Sequence, residues 1–137
     1  MKVATAIKIA GLAAAITILS HASYAFNLNG AWTDQVSACG KIFEKNKQGG
    51  VSIKSGSGIY GDAFIVNGNS IIGSAGKCTI KARKTNGPTT HLVATCAAGN
   101  VALSTFQFSY RVKGDNTIVR IFPGIEELDV TYGRCRF

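Results

Sequence analysis

The stretch that most constrains this chain runs from Lys77 to Ala97 and reads as a β-hairpin folded about Gly87. Pairing residues symmetrically about that glycine sets Cys78 opposite Cys96, Ile80 opposite Ala94 and Ala82 opposite Leu92. A single register therefore yields one apolar face and two opposed cysteines, which is how side-chain pattern and turn together specify pairing in a sheet.

The four cysteines set the redox context. No Cys-x-x-Cys pair is present to grip a metal ion, and an even count in an exported chain favours disulfides. Of the three possible connectivities, the hairpin register selects Cys78–Cys96 and so leaves Cys39–Cys135. In the chain-entropy account these bonds contribute about 3 and about 5 kcal/mol.

Export is read from the N-terminus. Lys2 and Lys8 precede an apolar run from Ile9 to Leu19, and Ser23-Tyr24-Ala25 places small residues where a signal peptidase cleaves, so residues 1–25 read as a secretory signal peptide. The run is shorter than the roughly 20 apolar residues needed to cross a bilayer, so no transmembrane segment is expected in the mature chain. Residue 26 is Phe, not the Cys that lipid attachment requires. Taking Lys2 and Lys8 from the 15 basic residues leaves 13 against 7 acidic ones, a net charge of +6 on a single expected domain at 26–137. A domain of this size buries roughly 65% of its unfolded surface.

Along that domain, Gly30-Ala-Trp-Thr33 reads as a first short strand, and Val36 to Asn46 as a short helix or turn ended by Gly49-Gly50. The remainder is strand and turn. Val51 to Lys54, Asp62 to Val66 and Ser70 to Ile72 are β-prone, and Asn67-Gly68-Asn69 is a hairpin turn. Beyond the central hairpin, Val101 to Val112 alternates, with Phe106, Phe108, Tyr110 and Val112 on one face. Pairing about Gly114-Asp115 sets Tyr110 against Val119, Phe108 against Ile121 and Ser109 against Arg120. Leu128 to Arg136 closes the chain. About eight antiparallel strands with short links predict an all-β, disulfide-bonded fold: a small up-and-down barrel or a strongly curved sandwich. Closure removes the two exposed edges that an open sheet would leave.

Gly30-Ala31-Trp32 on the first strand and Arg134 on the last resemble the lipocalin and avidin type of barrel. The resemblance implies a Trp at the closed end beneath an Arg from the final strand, with Gly30, Trp32 and Arg134 as its structural signature. The Gly-x-Trp start, Cys39 followed by Phe43, the Phe122-Pro123-Gly124 break and Tyr132-Gly-Arg-Cys135 are also similar to small exported proteins of Gram-negative bacteria, and that likeness brings no activity with it. Ser57-Gly58-Ile59-Tyr60 approaches the Ser-Gly-x-x-Tyr of bacterial inhibitors of c-type lysozyme. It is one residue short, and a basic chain would be repelled by a basic lysozyme.

Few residues suggest catalysis. His91 stands alone after export, on the solvent-side parity with Val93 and Thr95, so nucleophilic schemes lack a positioned base. No catalytic residue, metal site or cofactor is expected. Glu126, Glu127 and Asp129 read as a solvated loop rather than a glycosidase pair or a Ca²⁺ loop. Lys77, Lys81 and Arg83 share the outward parity of the central hairpin, with Lys84 at its turn end. Such a stripe either keeps the chain soluble and guards a strand edge, or attracts an anionic envelope polymer or a protein partner. Nucleic acid is not expected, because the stripe has no interleaved aromatics for stacking. Trp32, Phe106, Phe108, Tyr110 and Phe122 either fill a barrel of this size or line a ligand cavity. The expectation is a non-enzymatic periplasmic or secreted binding protein that uses the basic hairpin. Its alternatives are a carrier of a small hydrophobic ligand and an inhibitor of a secreted hydrolase such as lysozyme.

Overall fold

The computed structural model describes residues 25–137, apart from the side chains of 102 and 103. The secretory segment read at 1–25 lies, but for its last residue, outside the described residues. Ten strands are present: β1 (Gly30–Thr33), β2 (Phe43–Lys45), β3 (Val51–Ile53), β4 (Ala63–Asn67), β5 (Ser70–Gly73), β6 (Gly76–Asn86), β7 (Thr89–Ala98), β8 (Val101–Val112), β9 (Thr117–Ile121) and β10 (Val130–Arg134). Eight of them close into an antiparallel barrel in the order β1-β10-β9-β8-β7-β6-β5-β4, and both expected disulfides are formed.

The barrel is a meander from β4 to β10, sealed by β1. Trp32 pairs with Arg134 on one side of β1 and with Phe64 on the other. Trp32, Val66, Ile80, Leu92, Ala94, Tyr110, Ile118 and Tyr132 point inward and form the main core. Lys77, Thr79, Thr95, Thr105 and Gln107 are exposed outside it. Among the described residues no helix is long and apolar enough to cross a membrane.

The segment between β1 and β4 carries the expected short helix, but over fewer residues than Val36 to Asn46. A 3₁₀ turn at Val36–Ala38 leads into α1 (Cys39–Ile42), and the chain then enters β2, which pairs with β3 outside the barrel. The apolar spacing read as helical serves a second core. Ile42 and Phe43 cover the outer faces of Ala31, Ala63 and Ile65, next to Cys135. Cys39–Cys135 ties this flap to the end of the chain. Gly133 allows the flap to approach, since a Cβ there would stand 2.3 Å from Val36 Cγ2. Leu128 also moves out of the final strand, into a 3₁₀ turn at Glu126–Leu128.

Two registers differ from expectation, each by one residue. Cys78 faces Cys96 and Ile80 faces Ala94, but beyond a bulge at Lys81 the pairs are Ala82 with Val93 and Arg83 with Leu92. The disulfide and the turn make different demands. Cys78–Cys96 needs a register centred on Gly87, whereas the tight turn pairs Asn86 with Thr89 around Gly87-Pro88, with Gly87 at φ 58°. A bulge absorbs the difference by adding one unpaired residue. Between β8 and β9 the Lys113 amide bonds the Thr117 carbonyl, which centres the loop on Asp115, so Tyr110 pairs with Arg120 and Ser109 with Ile121. A slip of one residue moves every side chain of a strand to the other face. Arg120, expected outside, is therefore inside.

Candidate functional site: the open end of the barrel

The two ends of the barrel are built differently. At the end where β1 begins, Gly30 takes φ 136°, a backbone conformation open mainly to glycine. Its bare face receives the Arg134 side chain, since a Cβ would meet Arg134 Nη1 at 3.3 Å. Two residues on, Trp32 is fully buried, and the Arg134 guanidinium lies 4.4 Å from its ring centroid. Arg134 donates to the backbone carbonyls of Asn29 and Asn27, and the Trp32 indole N–H donates to the Leu28 carbonyl at 2.9 Å. These contacts strap residues 27–29 across the barrel and close it. Burial holds the Arg134 guanidinium below its ordinary pKa, with Asp115 acting in the opposite sense.

The other end is open. A cavity of about 340 Å³ enters there, between Asp62, the β5–β6 turn and Ala97, and reaches down to Leu28. Phe64, Ile71, Leu92 and Phe108 line its walls along with the Cys78–Cys96 bond. Gly76 packs the wall at this end, since a Cβ there would stand 2.3 Å from the Ala97 carbonyl oxygen. The volume falls at the small end of the roughly 300–1,000 Å³ typical of small-molecule sites.

Asp62, Arg120 and Tyr132 are among the polar side chains that line this apolar space. The Tyr132 hydroxyl donates to Asp62 Oδ2 at 2.5 Å, while Asp62 Oδ1 accepts from the Ala63 amide at 2.9 Å. Burial raises the Tyr132 phenol well above its ordinary pKa, the Asp62 carboxylate raises it further, and Arg120 pulls the other way through its charge and a hydrogen bond to the hydroxyl. The Arg120 guanidinium lies 5.1 Å from the Phe108 ring centroid and 4.7 Å from that of Phe122. Neither Arg120 nor Asp62 stands out in the sequence. The only signal was the parity of Arg120 with Ile118, and the adjacent apolar pair Ile118-Val119 masks it.

The basic hairpin is less uniform than its sequence. Lys77 and Lys81 are exposed, with Lys81 in the bulge. Arg83 is a correction: it leaves the outward stripe and donates from Nη2 to the Gly68 carbonyl at 2.6 Å. Lys84 sits opposite His91. Pairing with β5 stops at Thr79, so β6 presents an open edge from Lys81 onward, where cations discourage pairing with another chain. His91 is outward by parity yet half-buried, 2.8 Å from the Ser109 hydroxyl. Ser57 is buried, so the Ser57 to Tyr60 stretch does not display its serine beside Tyr60. Asp129 accepts from the Phe122 amide at 2.9 Å, which leaves Glu126 and Glu127 exposed on the 3₁₀ turn. Among the described residues no group of three or more His, Cys, Asp or Glu could hold a metal ion.

Compared with protein-family models, with curated proteins and with solved structures, the chain has no match in any of the three.

Proposed function

We propose that this protein is a non-enzymatic carrier that holds a small hydrophobic ligand in the open end of its barrel. The single observation behind the proposal is the cavity of about 340 Å³, mostly apolar in its lining and running from Asp62 to Leu28. A barrel packed solid by its own side chains would have favoured a purely surface role. The likeness to lipocalin and avidin barrels belongs to the same proposal, and the Arg134–Trp32 stack at the closed end supports it. Two disulfides support a periplasmic or secreted site of action, where thiols stay oxidised.

Titration with the neutral fluorescent probe N-phenyl-1-naphthylamine tests the proposal. One saturable site per chain is expected, lost in Leu92→Phe, which fills the cavity. Binding that never saturates, or that Leu92→Phe leaves intact, removes the carrier reading.

A second reading concerns the outer wall. Residues 63–114 carry Lys77, Lys81, Lys84, Arg111 and Lys113 on this wall, apart from Arg83, which bonds Gly68, and no Asp or Glu. This acid-free wall would steer the protein toward an anionic envelope polymer or protein partner. Replacing Lys77, Lys81 and Lys84 with Gln should abolish salt-sensitive binding to vesicles containing anionic lipid. Unchanged binding leaves these cations only the role of guarding the open edge of β6.

A further inference from the structure

Among the described residues two charged side chains line the cavity, Asp62 and Arg120, and they are not equivalent. Both oxygens of Asp62 are engaged, one by the Tyr132 hydroxyl and one by the Ala63 amide. Arg120 has no carboxylate partner among the described residues; the faces of Phe108 and Phe122 hold it. Aromatic faces attract a guanidinium through its plane, and its edge N–H groups reach the Tyr132 hydroxyl. Those N–H groups form a rigid fork matched to a carboxylate, which can take two parallel bonds from it. A half-buried cation without a counter-charge is costly, and an incoming anion removes that cost.

Position along the barrel completes the argument. Arg120 stands one residue before the end of β9, beside the loop that borders the open mouth, whereas Leu28 forms the floor. A ligand lying along the axis would place its head at Arg120 and its tail against Leu28, Ile71 and Leu92. We propose that Arg120 anchors an anionic head group, so that the cavity selects a single-chain amphiphile bearing a carboxylate over its neutral or cationic counterparts. The proposal rests on the carrier reading.

Calorimetric titration of the full folded chain with decanoate, decanol and decyltrimethylammonium tests this. Decanoate is expected to bind at least tenfold more tightly than decanol, and the ammonium more weakly than either. Arg120→Gln should bring the decanoate-to-decanol ratio close to one, and Arg120→Lys should recover part of it. Circular dichroism of each variant separates loss of selection from loss of fold, and the wild-type ratio needs no variant at all. Equal binding of decanoate and decanol overturns the head-group assignment and leaves the carrier reading standing. Failure of all three ligands to bind overturns both.

Discussion

Arg134 and Arg120 both lie over aromatic rings, yet they sit at opposite ends of the barrel, and the proposal above gives them opposite purposes. Arg134 turns its donors to the carbonyls of Asn27 and Asn29, so its charge is spent on holding the chain across the closed end. Arg120 lines the cavity, with its guanidinium against the rings of Phe108 and Phe122 and its edge at the Tyr132 hydroxyl. Under that proposal, an arginine inside a barrel is structural or receptive according to what meets its edge. The ring that meets its face does not decide the matter.

The comparison can be broken most forcefully at Trp32. Trp32→Ala empties the largest fully buried side-chain volume at the closed end and is expected to cost about 3–5 kcal/mol in denaturant unfolding. A loss below about 1 kcal/mol would mean that the closed end is not held by packing. Arg134→Gln comes next, at about 1.5–3 kcal/mol, the scale of hydrogen bonds from a charged donor. A neutral outcome would make Arg134 as dispensable to folding as Arg120 is expected to be.

Alkaline titration sharpens the contrast at the open end. The Tyr132 phenol is raised in the folded protein, by burial first and by Asp62 second. A raised folded value stabilises fully below the unfolded value of about 10. That stability is lost as pH climbs above it, at up to about 1.4 kcal/mol per pH unit. Denaturant curves from pH 8 to 11 should show this decline in the wild type and a shallower one in Tyr132→Phe; parallel slopes would refute the assignment. The smallest effect is expected from Arg120→Gln, within about 0.5 kcal/mol of wild type. A larger destabilisation would place Arg120 among the structural residues and erase the distinction.

Much of the fold is legible in the sequence because several signals agree. The facing cysteines, the alternation of β8 and the Asn67-Gly68-Asn69 turn each point to antiparallel pairing, and closure follows from the need to cover edges. The flap was not legible, since Ile42 and Phe43 fit a helical face and a packed strand equally well. Nor was the cavity's polar cluster. Arg120 depends on a loop one residue longer than the turn expected at Gly114-Asp115, and nothing local distinguishes the two. Arg83 was misplaced for a related reason. From Lys81 to Lys84 no apolar alternation fixes the register, so the turn and the disulfide decide it from either side.

Trp32 pairs with Arg134, and Cys39 bonds to Cys135, so the ring and its covalent tie both wait on the last residues of the chain. A chain delivered N-terminus first, from a ribosome or through a membrane pore, holds β1 against β4 alone until Arg134 arrives. Contacts this distant in sequence form slowly, on the millisecond-to-second scale of β-rich folds. Until then the walls that would enclose a ligand face water, where they can stick to other chains. Cutting the chain after Val130 would remove the closing strand and the partner of Cys39 together, leaving a folding intermediate with no native state to reach.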